Sequence, residues 1–260
     1  MNESFSGREP SAPLASPEPV SPPQAVRVAL PFLVPMATYA ILGFTVLIYL
    51  LQMASMAILN GDDLPLMLGA RVTELIREGQ WWRFITPVFL HGSVTHIFFN
   101  MYALLSIGSF LEKHFGHGRF ILLYFLGAFA GNVFSFLLTD GYSVGASTAV
   151  FGLVAAEVIF FYQNRKLFGS QAKQAIGNAV FIIAVNLLIG LTPGIDNWGH
   201  VGGLLGGAMF AWFAGPRWEV AGISPDFHLE DQREFRETIL GAGLVIVVFG
   251  ALAAWGMLNG

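Results

Sequence analysis

Cysteine is absent from the 260-residue chain, so neither a disulfide nor a zinc–thiolate centre holds the fold, and thiols say nothing of the redox compartment. Charge is scarce as well. Only 12% of residues are Asp, Glu, Lys or Arg, against roughly a quarter in a water-soluble globular chain. No basic run exists and the formal net charge is -4, which excludes a surface built to neutralise a nucleic-acid backbone. The first 28 residues have no apolar core of the kind a secretory signal needs. They are rich in Pro, Ser and Glu, carry only Arg8 and Arg27 as cations, and are expected to form a disordered cytoplasmic tail.

What the chain does have is apolar bulk: 55% hydrophobic residues, 24 Phe and a mean hydropathy of +0.63. That composition points to a bilayer as the solvent. Seven apolar stretches are long enough, or nearly so, to cross about 30 Å of hydrocarbon as helices. They fall near 36–59, 94–112, 119–138, 147–163, 177–192, 199–214 and 239–258. The expected fold class is therefore all-α, a polytopic transmembrane helix bundle, with six helices over 29–215, a cytoplasmic linker over 216–238 and a seventh helix over 239–260.

Lys and Arg are retained on the cytoplasmic side in short loops. With the N-terminus inside, ten of them (Arg8, Arg27, Lys113, Arg119, Arg165, Lys166, Lys173, Arg217, Arg233 and Arg236) fall on inner segments and three (Arg71, Arg77 and Arg83) on outer ones. All three outer arginines lie in the long connection 60–93, which has the composition of an amphipathic, partly embedded segment.

Polar side chains at membrane depth need a reason, since charged ones cost about 2.5–3.5 kcal/mol each on insertion scales. Three clusters stand out, each at the outer end of a predicted span. His91 to Asn100 opens the second, with His96 and Asn100 four apart on one face. Gly145-Ala146-Ser147-Thr148-Ala149-Val150-Phe151-Gly152 leads into the fourth, and His200-Val201-Gly202-Gly203-Leu204-Leu205-Gly206-Gly207 opens the sixth. Taken alone, Ser147 is an ordinary helix-capping serine and His200 a structural histidine. Together they read differently. Gly203 and Gly207 form a small-residue stripe that allows close helix approach, and Gly152 and Ala156 supply a matching surface on the fourth helix. Such packing brings Ser147 and His200 within reach as nucleophile and base. His96 and Asn100 are either interhelical hydrogen-bonding residues or donors to a developing oxyanion.

These residues resemble the rhomboid family of intramembrane proteases. The resemblance rests on Gly145-x-Ser147-x-x-x-Phe151 followed by His200-x-x-Gly203-x-x-x-Gly207. Trp82-Arg83, His96-x-x-x-Asn100, and Leu111-Glu112 followed by Gly116 occur in the family's order, so the likeness spans about 79–214. It implies a six-plus-one helix arrangement and a serine endopeptidase that works as a Ser147–His200 dyad without metal or cofactor. It further implies an oxyanion hole of His96, Asn100 and the Ser147 backbone N–H, with Phe151 packed on the histidine ring. The implied partners are single-span or polytopic membrane-protein substrates and the lipid bilayer, with no nucleic acid; the tail lacks the Arg-rich, acid-poor pattern of an organellar presequence, so a bacterial-type plasma membrane is expected. Two alternatives are a catalytically inactive rhomboid-like client-binding protein and a small-solute transporter, the latter favoured by Glu157 and Asn186 within predicted spans. Asp196, four residues before His200, invites a triad. Its expected place is a wet outer loop after Pro193-Gly194.

Overall fold

The computed structural model describes residues 33–223 and 226–259; the tail over 1–28 lies outside them. The chain begins with α1 (Met36–Ile58), whose first turn is capped from a distance. The Glu112 carboxylate accepts the Ala37 N–H at 2.8 Å, the Thr38 N–H at 2.7 Å and the Thr38 hydroxyl at 2.6 Å. Those backbone donors have no partner inside α1, so a buried carboxylate from another helix satisfies them and fixes where α1 packs.

The long first connection is folded rather than loose. It holds α2 (Leu64–Gly69), β1 (Arg71–Val72), α3 (Thr73–Arg77) and two single 3-10 turns at Trp81–Phe84 and Thr86–Phe89. Two of its arginines are buried inside it. Arg83 donates to the carbonyls of Ala70 at 2.6 Å and Met67 at 2.7 Å, and Arg71 to the carbonyl of Gly141 at 2.9 Å. The cations thus replace lost water with backbone oxygens and tie the connection to the rest of the molecule.

Next, α4 (Val94–Ala103) runs through a π-helical turn at Leu104–Gly108 into α5 (Ser109–Leu138). Gly116, at φ 79° and ψ 161°, breaks this 45-residue run into two helical stretches, at the point that separates the spans expected at 94–112 and 119–138. A residue with a Cβ would be strained there. After β2 (Tyr142–Ser143), which pairs antiparallel with β1, the chain forms α6 (Ser147–Gln163), the short α7 (Arg165–Phe168), α8 (Ser170–Ile189) and α9 (Asn197–Ala214). An antiparallel hairpin of β3 (Trp218–Ile223) and β4 (Asp226–Asp231) precedes α10 (Phe235–Asn259). The hairpin lies within the stretch expected to be a plain linker. It is anchored by an Arg119–Asp231 ion pair and by the Trp218 N–H donating to Asn164 Oδ1 at 2.7 Å.

Four helical runs, Met36–Ile58, Val94–Leu138, Ser170–Ile189 and Phe235–Asn259, are long and apolar enough to cross a membrane. With the helices at 147–163 and 197–214, every predicted span is helical, and the chain is an integral membrane protein built as a helical bundle. At its centre α5, α6 and α9 meet through glycines. A Cβ on Gly207 would lie 2.2 Å from the Gly152 carbonyl oxygen, and one on Gly203 2.1 Å from that of Thr148. No larger residue fits at that separation. α8, by contrast, buries only Ala172 and Ala179.

Candidate active site

Ser147 is the first residue of α6, and the N-cap is Ala146. The serine hydroxyl therefore makes no capping bond and is free to face another helix. It faces α9, where His200 sits in the first turn, with Ser147 Oγ 3.0 Å from His200 Nε2. The glycine contacts between α6 and α9 set this distance, because they bring the two backbones together one turn below the pair. Phe151, one turn along α6 from Ser147, stacks on the imidazole with ring centroids 4.2 Å apart and planes 7° from parallel. The ring is thereby held in one orientation, since rotation about its side-chain bonds would drive it into the phenyl face.

His96 approaches from α4. Gly145 lies under its ring: a Cβ there would sit 2.7 Å from both His96 Cε1 and Nε2 and 3.7 Å from Ser147 Oγ. Gly145 also has a φ of 126°, so two independent reasons demand glycine at this position. Its N–H donates to the Pro87 carbonyl at 2.9 Å, which fixes the turn before Ser147 to the first connection. Asn100 is buried one turn from His96 and donates to that residue's carbonyl at 3.0 Å, leaving its second amide hydrogen uncommitted by that bond.

His91 supports this arrangement and was not singled out as a site residue from sequence. It is 1% exposed, its Nε2 accepts the Ala146 N–H at 3.4 Å, and its ring meets that of His96 edge-on at 5.0 Å. Burial, and then the neighbouring His96, push its pKa down to about 3, so it is neutral and accepts from Ala146. The signal available in the sequence was its place at the head of the His91–Asn100 cluster.

Trp82 and Arg83 make their hydrogen bonds within the first connection. Trp82 Nε1 donates to the Leu68 carbonyl at 3.0 Å, and Arg83 adds a bond to Gln80 Oε1 at 2.8 Å, so both staple the first connection. Asp196 corrects the sequence expectation. Far from sitting in a wet loop, its carboxylate accepts from Ser135 Oγ, from Thr139 Oγ1 at 2.7 Å and from the Gly199 N–H at 2.9 Å. It makes no bond to His200, whose Nδ1 has no hydrogen-bond partner among the described residues. A Ser–His–Asp triad is therefore not what these side chains form. Glu157 is half-buried on α6, ten residues along from Ser147.

A helical membrane bundle with a serine–histidine pair at one end, the histidine buried and stacked on a phenyl ring, defines the class of protein to which this chain belongs. The Rhomboid domain family matches residues 78–217, more than half of the chain. The chain is a member of the rhomboid family, a family of intramembrane serine proteases. Rhomboid protease GluP of Bacillus subtilis is 38% identical over 175 residues, which is 66% of this chain and 34% of that protein. The chloroplastic RHOMBOID-like protein 9 of Arabidopsis thaliana is 33% identical over 155 residues, 59% of this chain and 36% of the relative. RHOMBOID-like protein 2 of the same plant is 32% identical over 190 residues, 71% of this chain and 60% of the relative. The chain thus spans only about a third of the length of the first two relatives.

Proposed function

We propose that this protein is an intramembrane serine endopeptidase that hydrolyses peptide bonds in or beside the transmembrane segments of other membrane proteins. The observation that carries the proposal is the 3.0 Å approach of Ser147 Oγ to His200 Nε2 inside a helical bundle, with Phe151 fixing the ring. Neutral His200 accepts the Ser147 hydroxyl proton as the oxygen attacks the scissile carbonyl carbon. The tetrahedral oxyanion forms at the N-terminus of α6, where the first backbone N–H groups have no intrahelical partner and the helix dipole is positive. The Ser147 N–H, the His96 ring and the second amide hydrogen of Asn100 are the donors assigned to it. His200 then gives its proton to the leaving amine, and water, activated by the same imidazole, releases the acyl group from Ser147.

The charge bias along the sequence supports a cytoplasmic N-terminus and a Ser147 end that opens to the outer face of the membrane. Its clients are single-span or polytopic membrane proteins.

The test is cleavage of a single-span substrate in liposomes, with a chelator present, by wild type, Ser147→Ala and His200→Ala. Wild-type cleavage with loss of about 10⁴-fold or more in each variant is the expected result. A fluorophosphonate probe should label wild type and not Ser147→Ala. Folded wild-type protein that neither cleaves nor labels refutes the proposal and leaves a client-binding role; variants that cleave as well as wild type refute the assignment of the two residues.

A further inference from the structure

Asp196 holds an unusual number of partners for a residue with no role in the dyad. Its two oxygens accept from Ser135 on α5, from Thr139 at the C-cap of that helix and from the Gly199 backbone N–H in the first turn of α9. It is the N-cap of α9, and His200 follows one turn later. The neighbouring residues enforce the arrangement. A Cβ on Gly199 would lie 2.9 Å from Asp196 Oδ2, and one on Gly131 of α5 would lie 2.6 Å from the Gly199 carbonyl oxygen, so α5 and the head of α9 are in direct backbone contact. On the other side Asn197 Nδ2 donates to the Leu187 carbonyl at 3.0 Å, tying the same turn to α8. The head of α9 is therefore held on two sides, and on the α5 side the Asp196 carboxylate adds side-chain hydrogen bonds to the close backbone packing.

We infer that Asp196 is a positioning residue for the reaction: by capping α9 and binding Ser135 and Thr139 it fixes the height and rotation of the helix turn that carries His200. The inference rests on the dyad proposed above. It assigns Asp196 no contact with substrate and no proton transfer, because the carboxylate is committed to α5 and to the cap. A displacement of the imidazole by about 1 Å is enough to cost on the order of 10²-fold in rate, since proton transfer from Ser147 depends on reach and alignment. Asn caps helices as well as Asp does and presents an oxygen of the same reach, whereas Ala does neither.

The experiment compares wild type with Asp196→Ala, Asp196→Asn, Ser135→Ala and Thr139→Val for kcat and KM on one single-span substrate in liposomes. Active sites are counted by saturating fluorophosphonate labelling, so that loss of folded protein divides out. Asp196→Ala is expected to lower kcat about 10- to 100-fold at unchanged KM, Asn to restore it to within about 3-fold, and the two hydroxyl variants to lower it a few-fold each. Unchanged kcat per site in Asp196→Ala overturns the inference, as does an Asn variant as slow as Ala, which would place the effect in the charge. If Asp196→Ala does not fold, Ser135→Ala and Thr139→Val decide, and wild-type kcat in both overturns it. Inactive wild type instead sinks the dyad on which the inference rests, whereas active wild type, dead Ser147→Ala and fully active Asp196 variants sink the positioning role alone.

Discussion

Phe151 and His200 lie with their rings 4.2 Å apart and 7° from parallel, so the histidine that faces Ser147 has a phenyl face along its whole back. Replacing Phe151 by Ala removes a stacking contact of about 0.5–1.5 kcal/mol and frees the ring, so kcat should fall roughly 3- to 10-fold. Phe151→Leu, which keeps bulk but no flat face, should fall between. Steady-state cleavage of a single-span substrate measures both, and wild-type kcat in Phe151→Ala would remove the ring from any catalytic account.

Asn100 is buried close to His96 and has an amide hydrogen to spare. If that hydrogen serves the oxyanion, Asn100→Ala loses an interaction made only in the transition state. The expected cost is about 2.7–4 kcal/mol, read as a drop of 10²–10³ in kcat with little change in KM. A rise in KM alone would make Asn100 a substrate-binding residue.

Gly207 has no room for a side chain, since its Cβ would fall 2.2 Å from the Gly152 oxygen and 2.4 Å from the Gly152 Cα. Gly207→Ala should push α6 and α9 apart and destabilise the protein by roughly 1–3 kcal/mol, with loss of activity as Ser147 and His200 separate. Gly177 on α8 has nothing within 4 Å of its Cβ position, so Gly177→Ala is the neutral control. Thermal melts in detergent compare them, and equal Tm values would contradict the packing argument.

Asp196 also makes stability depend on pH. Burial alone would raise its pKa, but the hydrogen bonds its carboxylate accepts, that from Ser135 foremost, outweigh that and hold it below the ordinary 3.8. A carboxyl depressed in the folded state stabilises fully above its unfolded pKa and loses that contribution as pH falls through the folded one. The Tm difference between wild type and Asp196→Asn should therefore be constant near neutrality and close only in acid, below about pH 4. A difference that closes between about pH 8 and 6 would implicate another group.

Much of this site was legible in the linear chain because its residue types are rare at membrane depth. Ser147, His96, Asn100 and His200 stood out against apolar surroundings, and glycines at 203 and 207 announced a close helix contact for which Gly152 and Ala156 offered a matching surface. Trp82-Arg83 belonged to the same ordered set of motifs, yet the structure uses both residues to staple the first connection. A motif fixes residue type and order, and the distance to the site depends on how the connection folds. Asp196 was misplaced for a related reason. Beside Pro193-Gly194 it has the look of a wet loop, and only the return of Ser135 and Thr139 from a helix some 60 residues earlier shows it to be enclosed. The β3–β4 hairpin was missed as well: Asp226–Asp231 alternates residue by residue but Trp218–Ile223 does not, and the pair is pinned by Arg119 and Asn164 from distant parts of the chain.

The sequence by itself determined that the chain lives in a bilayer, where its helices run, and which polar residues require an explanation, because apolar run length and the cost of burying charge are local properties. Tertiary structure alone decided that Ser147 and His200, 53 residues apart, come within a hydrogen bond, that Phe151 backs the ring and that Asp196 serves a helix cap instead of a triad. Those relationships depend on how closely α5, α6 and α9 approach, and that distance is set by steric exclusion between glycine backbones on helices far apart in the chain.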